Sequence, residues 1–141
     1  MDTDSSEIAL LSIRPPYAEA ILSGRKRVEF RKTPFARKVR YAVIYATKPI
    51  GKVLGWFKVE GVEALPPTEL WWKFSDCGGI REHDFRDYYA DADVGYAIRV
   101  GETVRFPQAK SLAEIGDFGQ PPQSFRYLPQ SARLVLTGAS G

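Results

Sequence analysis

LSIRPPYAEAILSGRKRVEFR, residues 11–31, changes its hydrophobic period twice, and those two changes decide how the rest of the chain is read. It begins inside a short continuous apolar run, Ile8 to Ile13, of the kind that suits a strand buried on both faces. Arg14-Pro15-Pro16 ends that run. Proline is tolerated at a helix start because its missing N–H would be unpaired there anyway, and Tyr17, Ala18, Ile21 and Leu22 follow at helical spacing up to Ser23-Gly24. A two-turn helix is predicted. Val28-Glu29-Phe30-Arg31 then alternates apolar and polar, so a strand with one wet face is predicted, with Glu29 and Arg31 on the same side and Lys26 just ahead of it.

Further along, Tyr41–Thr47 (YAVIYAT) is β-branched and aromatic and reads as a central strand. After a Lys48-Pro49 turn, Val53–Val62 reads as a long strand with Gly55 and Gly61 as bend points, and the two make a hairpin. Pro66-Pro67-Thr68 opens a helix with Thr68 placed to cap it, a loop follows at Asp76–Gly79, and Arg81–Tyr89 is a second amphipathic helix. Tyr96–Val100 and Thr103–Phe106 return to strand character, and a tight turn at Gly101-Glu102 is expected between them. Pro121–Leu128 forms an ordered corner, and Arg133–Thr137 (RLVLT) reads as a last strand. Many short strands with two or three inserted helices describe an α+β protein with a small, partly open β-barrel.

The chain of 141 residues, 44% apolar and 13% aromatic, is of a size that makes one domain. We expect that domain at 8–137, a disordered tail at 1–7 and a short tail at 138–141. No window approaches the roughly 20 apolar residues that span a bilayer. The start, MDTDSSE, is acidic where a secretory signal is basic and then apolar, so a cytoplasmic protein with no membrane partner is expected. A single cysteine, Cys77, makes no internal disulfide, and with a single histidine, His83, it does not fill a structural zinc shell, so no metal and no cofactor are expected. The net charge of +3 is unevenly distributed: Arg14 to Lys58 carries +10 and the remainder −7. Such asymmetry predicts a positive face, the usual footprint of a polyanion partner, although a solvated basic surface shows the same pattern.

Gly24, Lys26, Glu29 and Arg31 match glycine, any residue, lysine, two residues, glutamate, one residue, arginine, the signature that this stretch shares with the ASCH family, which it resembles. The strand-helix-glycine lead-in, the Tyr45-Ala46-Thr47 strand end and the Pro121–Phe125 corner are similar as well. The resemblance implies a PUA-like β-barrel with the motif residues lining a cleft. It also implies two activities known in such proteins, removal of the acetyl group of N4-acetylcytidine and RNA cleavage. In the amidohydrolase type the lysine activates a threonine where this chain has Glu29, and a further glutamate comes from the loop after the hairpin, where Asp76 stands here. A threonine-based acyl transfer therefore does not carry over residue by residue.

The residue types have work to do in their own right. Lys26 is a mobile donor for a phosphate, or a base if burial and neighbouring arginines lower its pKa. Arg31 offers a planar fork for a phosphate or a base edge, and Glu29 either holds that fork or accepts from an exocyclic amine. The competing reading is a same-face ion pair on an exposed strand, worth about 0–1 kcal/mol. Arg14 and Tyr17 lie next to the motif, Tyr17 either stacking on a base or packing on the helix face. Tyr45 and Thr47 are expected on one face, lining the cleft, with core packing the competitor for Tyr45. Gln123 and Ser124 either read a base edge or satisfy backbone groups. Trp56, Trp71 and Trp72 read as packing residues, His83 and Asp84 as helix surface, and Cys77 as incidental.

The expected function is binding of nucleic acid, RNA above DNA, or of a modified nucleotide through a basic cleft formed by Arg14, Tyr17, Lys26, Glu29, Arg31, Tyr45, Thr47, Gln123 and Ser124. The alternative is a small hydrolase, an N4-acetylcytidine amidohydrolase or a ribonuclease, using Lys26 and Glu29. Oligomeric state is left open.

Overall fold

The computed structural model of the chain describes residues 7–117 and 119–136. The predicted tails, apart from Glu7, and Thr137 at the end of the predicted last strand lie outside them. Seven elements form the first half: β1 (Glu7–Ile13), α1 (Pro15–Leu22), β2 (Val28–Arg31), β3 (Val39–Ala46), β4 (Lys52–Leu65), α2 (Pro67–Phe74) and α3 (Glu82–Tyr88). β5 (Gly95–Lys110), a 3₁₀ turn at Ala113–Ile115, β6 (Phe125–Leu128) and α4 (Ala132–Leu136) complete them. Glu7, expected in the tail, is the first residue of β1.

One six-stranded sheet runs β2-β5-β4-β3-β1-β6. β1 and β3 are parallel because the chain crosses over through α1 and β2 between them, and every other pair is antiparallel. The sheet coils without closing: β2 and β6 are its two edges. This is an α+β, partly open barrel with three helices inserted between strands.

The apolar run of β1 is buried on both sides, as its composition demands. Ile8 and Leu10 join a cluster with Val43, Trp56 and Phe106, while Leu11 and Ile13 join Ile21, Ile44 and Phe57 beneath α1. A third cluster seats α2 and α3 on the β2 end of the sheet, through Leu70, Phe74 and Phe85 against Val28 and Phe30. Trp56 and Trp71 pack as expected, whereas Trp72 is 77% exposed. Among the described residues no helix is long and apolar enough to cross a membrane.

Three local expectations are corrected. The turn at Gly101-Glu102 is absent: β5 continues through it, paired along β4 from Val53 opposite Lys110 to Leu65 opposite Gly95. A hairpin there would have needed residues 103–106 to fold back on 96–100, but the long β4 offers a partner throughout, and register shifts take up the extra residues. Two of these shifts fall at Gly55 and Gly61, the anticipated bend points. Thr68 makes no cap, since α2 begins at Pro67 with Pro66 in the capping position. Finally, 132–136 is helix α4 rather than strand. Ala132 and Leu136, one helical turn apart, both enter the core, and the Leu136 carbonyl accepts the Trp56 indole N–H at 2.8 Å.

Gly55 is required by close approach. A Cβ there would lie 2.1 Å from the Val104 carbonyl oxygen and 3.1 Å from Arg105 Cα, both of them backbone atoms that cannot swing away. Gly55→Ala is expected to lower stability by about 1–3 kcal/mol in denaturant unfolding. An unchanged midpoint would mean that β4 and β5 separate there at no cost.

Candidate functional site

The open seam of the barrel is where the motif lies. Among the described residues β2 is an edge strand and pairs only with β5, so its other side faces the β1–β6 edge across a gap. Arg31, the last residue of β2, reaches over it: Nη2 donates to the Ser12 carbonyl at 2.9 Å and Nη1 to the Ser124 hydroxyl at 3.2 Å. Its own carbonyl accepts the Tyr89 hydroxyl at 2.9 Å, which anchors the strand end from beneath. A guanidinium thus ties β2 to the β1–β6 pair, to which no ladder joins it.

Beside this tie is a cleft of about 940 Å³. Its walls come from the end of β1 (Ser12, Ile13), the start of α1 (Arg14, Tyr17), Lys26 and β2 with the residues after it (Glu29 to Thr33), Thr47, the inner side of α3 (Asp84, Asp87, Tyr88) and the segment before β6 (Gln123, Ser124). Eight of the nine sequence candidates come together here. Tyr45 does not: it is 6% exposed and packs in the core with Val43 and Trp56 on the far side of the sheet. The expected shared face with Thr47 fails because β3 ends at Ala46; Thr47 lies past the strand, its N–H bonded to the Ile13 carbonyl at 3.0 Å.

Lys26, Glu29 and Arg31 form the floor, at 2%, 7% and 8% exposure. Glu29 lies between two cations: Oε2 is 3.0 Å from Arg31 Nη2 and Oε1 is 4.0 Å from Lys26 Nζ. The exposed ion pair considered from the sequence is therefore replaced by a buried triplet. Buried charges cost several kcal/mol each to desolvate, so a cluster like this, opening on a cleft, is a candidate functional site on physical grounds. Arg31 is not the open fork anticipated. Its terminal nitrogens are engaged by the protein, and Nε is buried with no hydrogen-bond partner among the described residues.

Lys26 follows the turn that ends α1, where Gly24 adopts φ of 86° and the Lys26 N–H bonds back to the Ala20 carbonyl at 2.9 Å. Its ammonium donates to the Gly78 carbonyl and lies 5.1 Å from the ring centres of both Tyr17 and Phe30. Burial, the largest influence, pushes its pKa below the usual lysine range, and Arg31 adds to this while Glu29 opposes it. Burial first, and then the Asp84 carboxylate, push the Tyr17 phenol up. Burial does the same to Tyr88, whose ring carries the Lys32 ammonium at 4.7 Å.

Charge in the cleft is mixed. Of the twelve basic residues in the +10 stretch, Arg14, Lys26, Arg31 and Lys32 reach it, and they meet Glu29, Asp84 and Asp87. Arg37 instead pairs with Glu7, at 3.6 Å. Sequence reading missed Lys32, and on α3 it missed Asp84, Asp87 and Tyr88. They sit at helical spacing on one side of α3, but only the docking of α3 through Phe85 turns that side to the cleft. His83 stays outside, 3.2 Å from Asp87 and solvent-exposed. Among the described residues no three His, Cys, Asp or Glu side chains gather where they could hold a metal ion.

A family model described as the ASCH domain matches residues 11–103, from the end of β1 to the middle of β5. An ASCH domain-containing ribonuclease of Zymomonas mobilis is 31% identical over 130 residues, covering 90% of this chain and 88% of that protein. The crystal structure of ASCH from Zymomonas mobilis superposes with a TM-score of 0.84 at 28% identity, over 93% of this chain and 94% of that one. A large ribosomal subunit protein uL22 of Ureaplasma parvum is 28% identical over 128 residues, which span 90% of this chain and 41% of that protein. The N-terminal domain of Staphylothermus marinus McrB shares the fold at 12% identity, with a TM-score of 0.56. Since the family match starts in the strand that borders the seam and contains Gly24, Lys26, Glu29 and Arg31, and the shared fold extends over nearly the whole chain, this protein belongs to the ASCH domain family.

Proposed function

We propose that the seam cleft binds single-stranded RNA and cleaves it. The observation that carries this reading is the buried Lys26–Glu29–Arg31 triplet at the floor of an open cleft, with exposed Arg14 and Lys32 beside it. The ribonuclease name of the Zymomonas mobilis relative supports it.

RNA carries its own nucleophile, so the protein has to move two protons and offset charge. The 2′-oxygen attacks the adjacent phosphorus as Glu29 Oε1 takes the hydroxyl proton. The bond from phosphorus to the 5′-oxygen breaks, and the Lys26 ammonium gives that oxygen a proton. The products are a 2′,3′-cyclic phosphate and a 5′-hydroxyl, and transfer between the neighbouring Lys26 and Glu29 restores both groups. A lysine whose pKa burial has lowered gives up its proton more readily than an ordinary one. Arg31 holds Glu29 in place, while Arg14 and Lys32 meet the flanking phosphates and the Tyr17 ring stacks on a base.

The test is a set of three oligonucleotides of one sequence: RNA, DNA and 2′-O-methyl RNA. Only the RNA is expected to shorten, leaving cyclic phosphate ends by mass. Equal cleavage of DNA would remove the 2′-hydroxyl step, and loss of acetyl from N4-acetylcytidine in an intact chain would replace this reading with amide hydrolysis. Binding is expected to weaken with salt. Arg14→Ala and Lys32→Ala should each lower the slope of log affinity against log salt by roughly 0.7 for every phosphate no longer neutralised, measured by fluorescence anisotropy.

A further inference from the structure

The segment joining α2 to α3 approaches Lys26 at two points. The Gly78 carbonyl accepts from Nζ, and Gly79 lies against the aliphatic stem, so near that a Cβ on Gly79 would be 2.7 Å from Lys26 Cβ and 2.8 Å from Cγ. Gly78 is confined as well: a Cβ there would stand 2.9 Å from both Phe30 Cε2 and the Phe74 carbonyl. The strand side of the same region is tied to the loop by the Arg27 N–H, which donates to the Cys77 carbonyl at 2.7 Å. Gly79 has φ of 61°, a conformation that side chains with a Cβ seldom adopt. Two consecutive glycines are thus what lets the backbone close over the lysine.

We propose that the Cys77-Gly78-Gly79 segment is the positioning element of Lys26: one carbonyl aims the amine, and the bare Cα beside it shuts water away from the stem. This deepens the proposed RNA cleavage, since it assigns the control of the proposed proton donor to a loop that supplies no side chain. The groups facing the amine come from every neighbouring element: Tyr17 from α1, Glu29 and Arg31 from β2, Cys77 from the loop itself, with Asp84 and Tyr88 of α3 across the cleft. Glu29 and Arg31 oppose one another in their effect on Lys26, and burial outweighs both. The loop is a source of that burial.

The inference is tested on the amine itself, without RNA. Reductive methylation with ¹³C-formaldehyde labels lysines according to exposure, and Lys26→Arg assigns the Lys26 signal. Lys26 is expected to label at least about ten times more slowly than exposed Lys48 and Lys58 in the wild type. In Gly79→Ala the added Cβ should lift the loop, bringing the labelling rate toward that of the exposed lysines and moving the titration midpoint of the amine up. As Gly79→Ala adds strain, a second variant inserts one glycine between Asp76 and Cys77, slackening the loop without any new Cβ, and the same changes are expected. Slow labelling and an unmoved midpoint in a folded loop variant would overturn the proposal, as would fast labelling in the wild type. Where RNA is cleaved, the alkaline limb of the rate profile should move up with the midpoint. If RNA is not cleaved at all, the cleavage reading falls while the labelling result still decides the role of the loop.

Discussion

Lys26→Met is expected to reduce RNA cleavage by about 10²–10⁴-fold, the usual contribution of a positioned proton donor, and to leave the protein folded. The two effects separate because the lysine occupies an apolar sleeve. Tyr17 and Phe30 flank its ammonium, Gly79 covers its stem, and methionine has a similar shape with no charge to desolvate. Glu29 keeps Arg31 at 3.0 Å in the variant, so no carboxylate is stranded. A melting temperature equal to or above that of the wild type is therefore expected in neutral buffer.

The pH dependence has a definite sign. Burial holds the folded-state pKa of Lys26 below its unfolded value, which is about 10.4. Between those two values the unfolded chain binds the extra proton, so wild-type stability rises with pH across that alkaline window. Lys26→Met lacks the group and should lack the rise. Denaturant midpoints of both proteins at neutral and alkaline pH measure the difference: the advantage of the variant should shrink as pH rises. A constant gap would show that Lys26 titrates as it does in the unfolded chain, and cleavage by Lys26→Met at the wild-type rate would remove the lysine from the chemistry.

Arg31→Ala should be the most destabilising single change at the seam, by about 3–5 kcal/mol in denaturant unfolding. It acts in two ways. The Ser12 carbonyl and the Ser124 hydroxyl lose the donor that links the β1–β6 edge to β2. Glu29, 7% exposed, is left with Lys26 at 4.0 Å as its remaining ion-pair partner. Adding Glu29→Gln to Arg31→Ala removes the stranded charge and should recover part of the loss, so the double variant should be more stable than Arg31→Ala alone. If Arg31→Ala unfolds at the wild-type midpoint, the seam is held by the sheet alone and the side-chain tie contributes nothing.

The strand, helix and strand of residues 11–31 were legible because each has its own period and a proline or glycine at its boundary, and these signals are local. The reading failed where a partner overrode local chemistry. Gly101-Glu102 would turn in isolation, but β4 runs alongside and the strand continues. RLVLT has strand composition, yet the one-turn spacing of Ala132 and Leu136 packs as a helix against Trp56. Alternation placed Tyr45 and Thr47 together only for as long as the strand lasted, and it stops between them.

The sequence by itself determined the type of fold and which residues carry the motif, since periodicity, turn chemistry and the spacing of Gly24, Lys26, Glu29 and Arg31 are all written in the order of the residues. Burial, pairing and direction came from the tertiary structure alone. The open seam between β2 and the β1–β6 pair is a property of the whole sheet; it turns Glu29 and Arg31 from a surface ion pair into a buried triplet with Lys26, and it commits the guanidinium to the protein. Asp84, Asp87 and Tyr88 join the cleft, and Gly78 and Gly79 close over Lys26, because α2 and α3 pack on the end of the sheet. Contacts between residues some fifty positions apart in the chain have no local signature; they exist only once the apolar faces of separate elements have met.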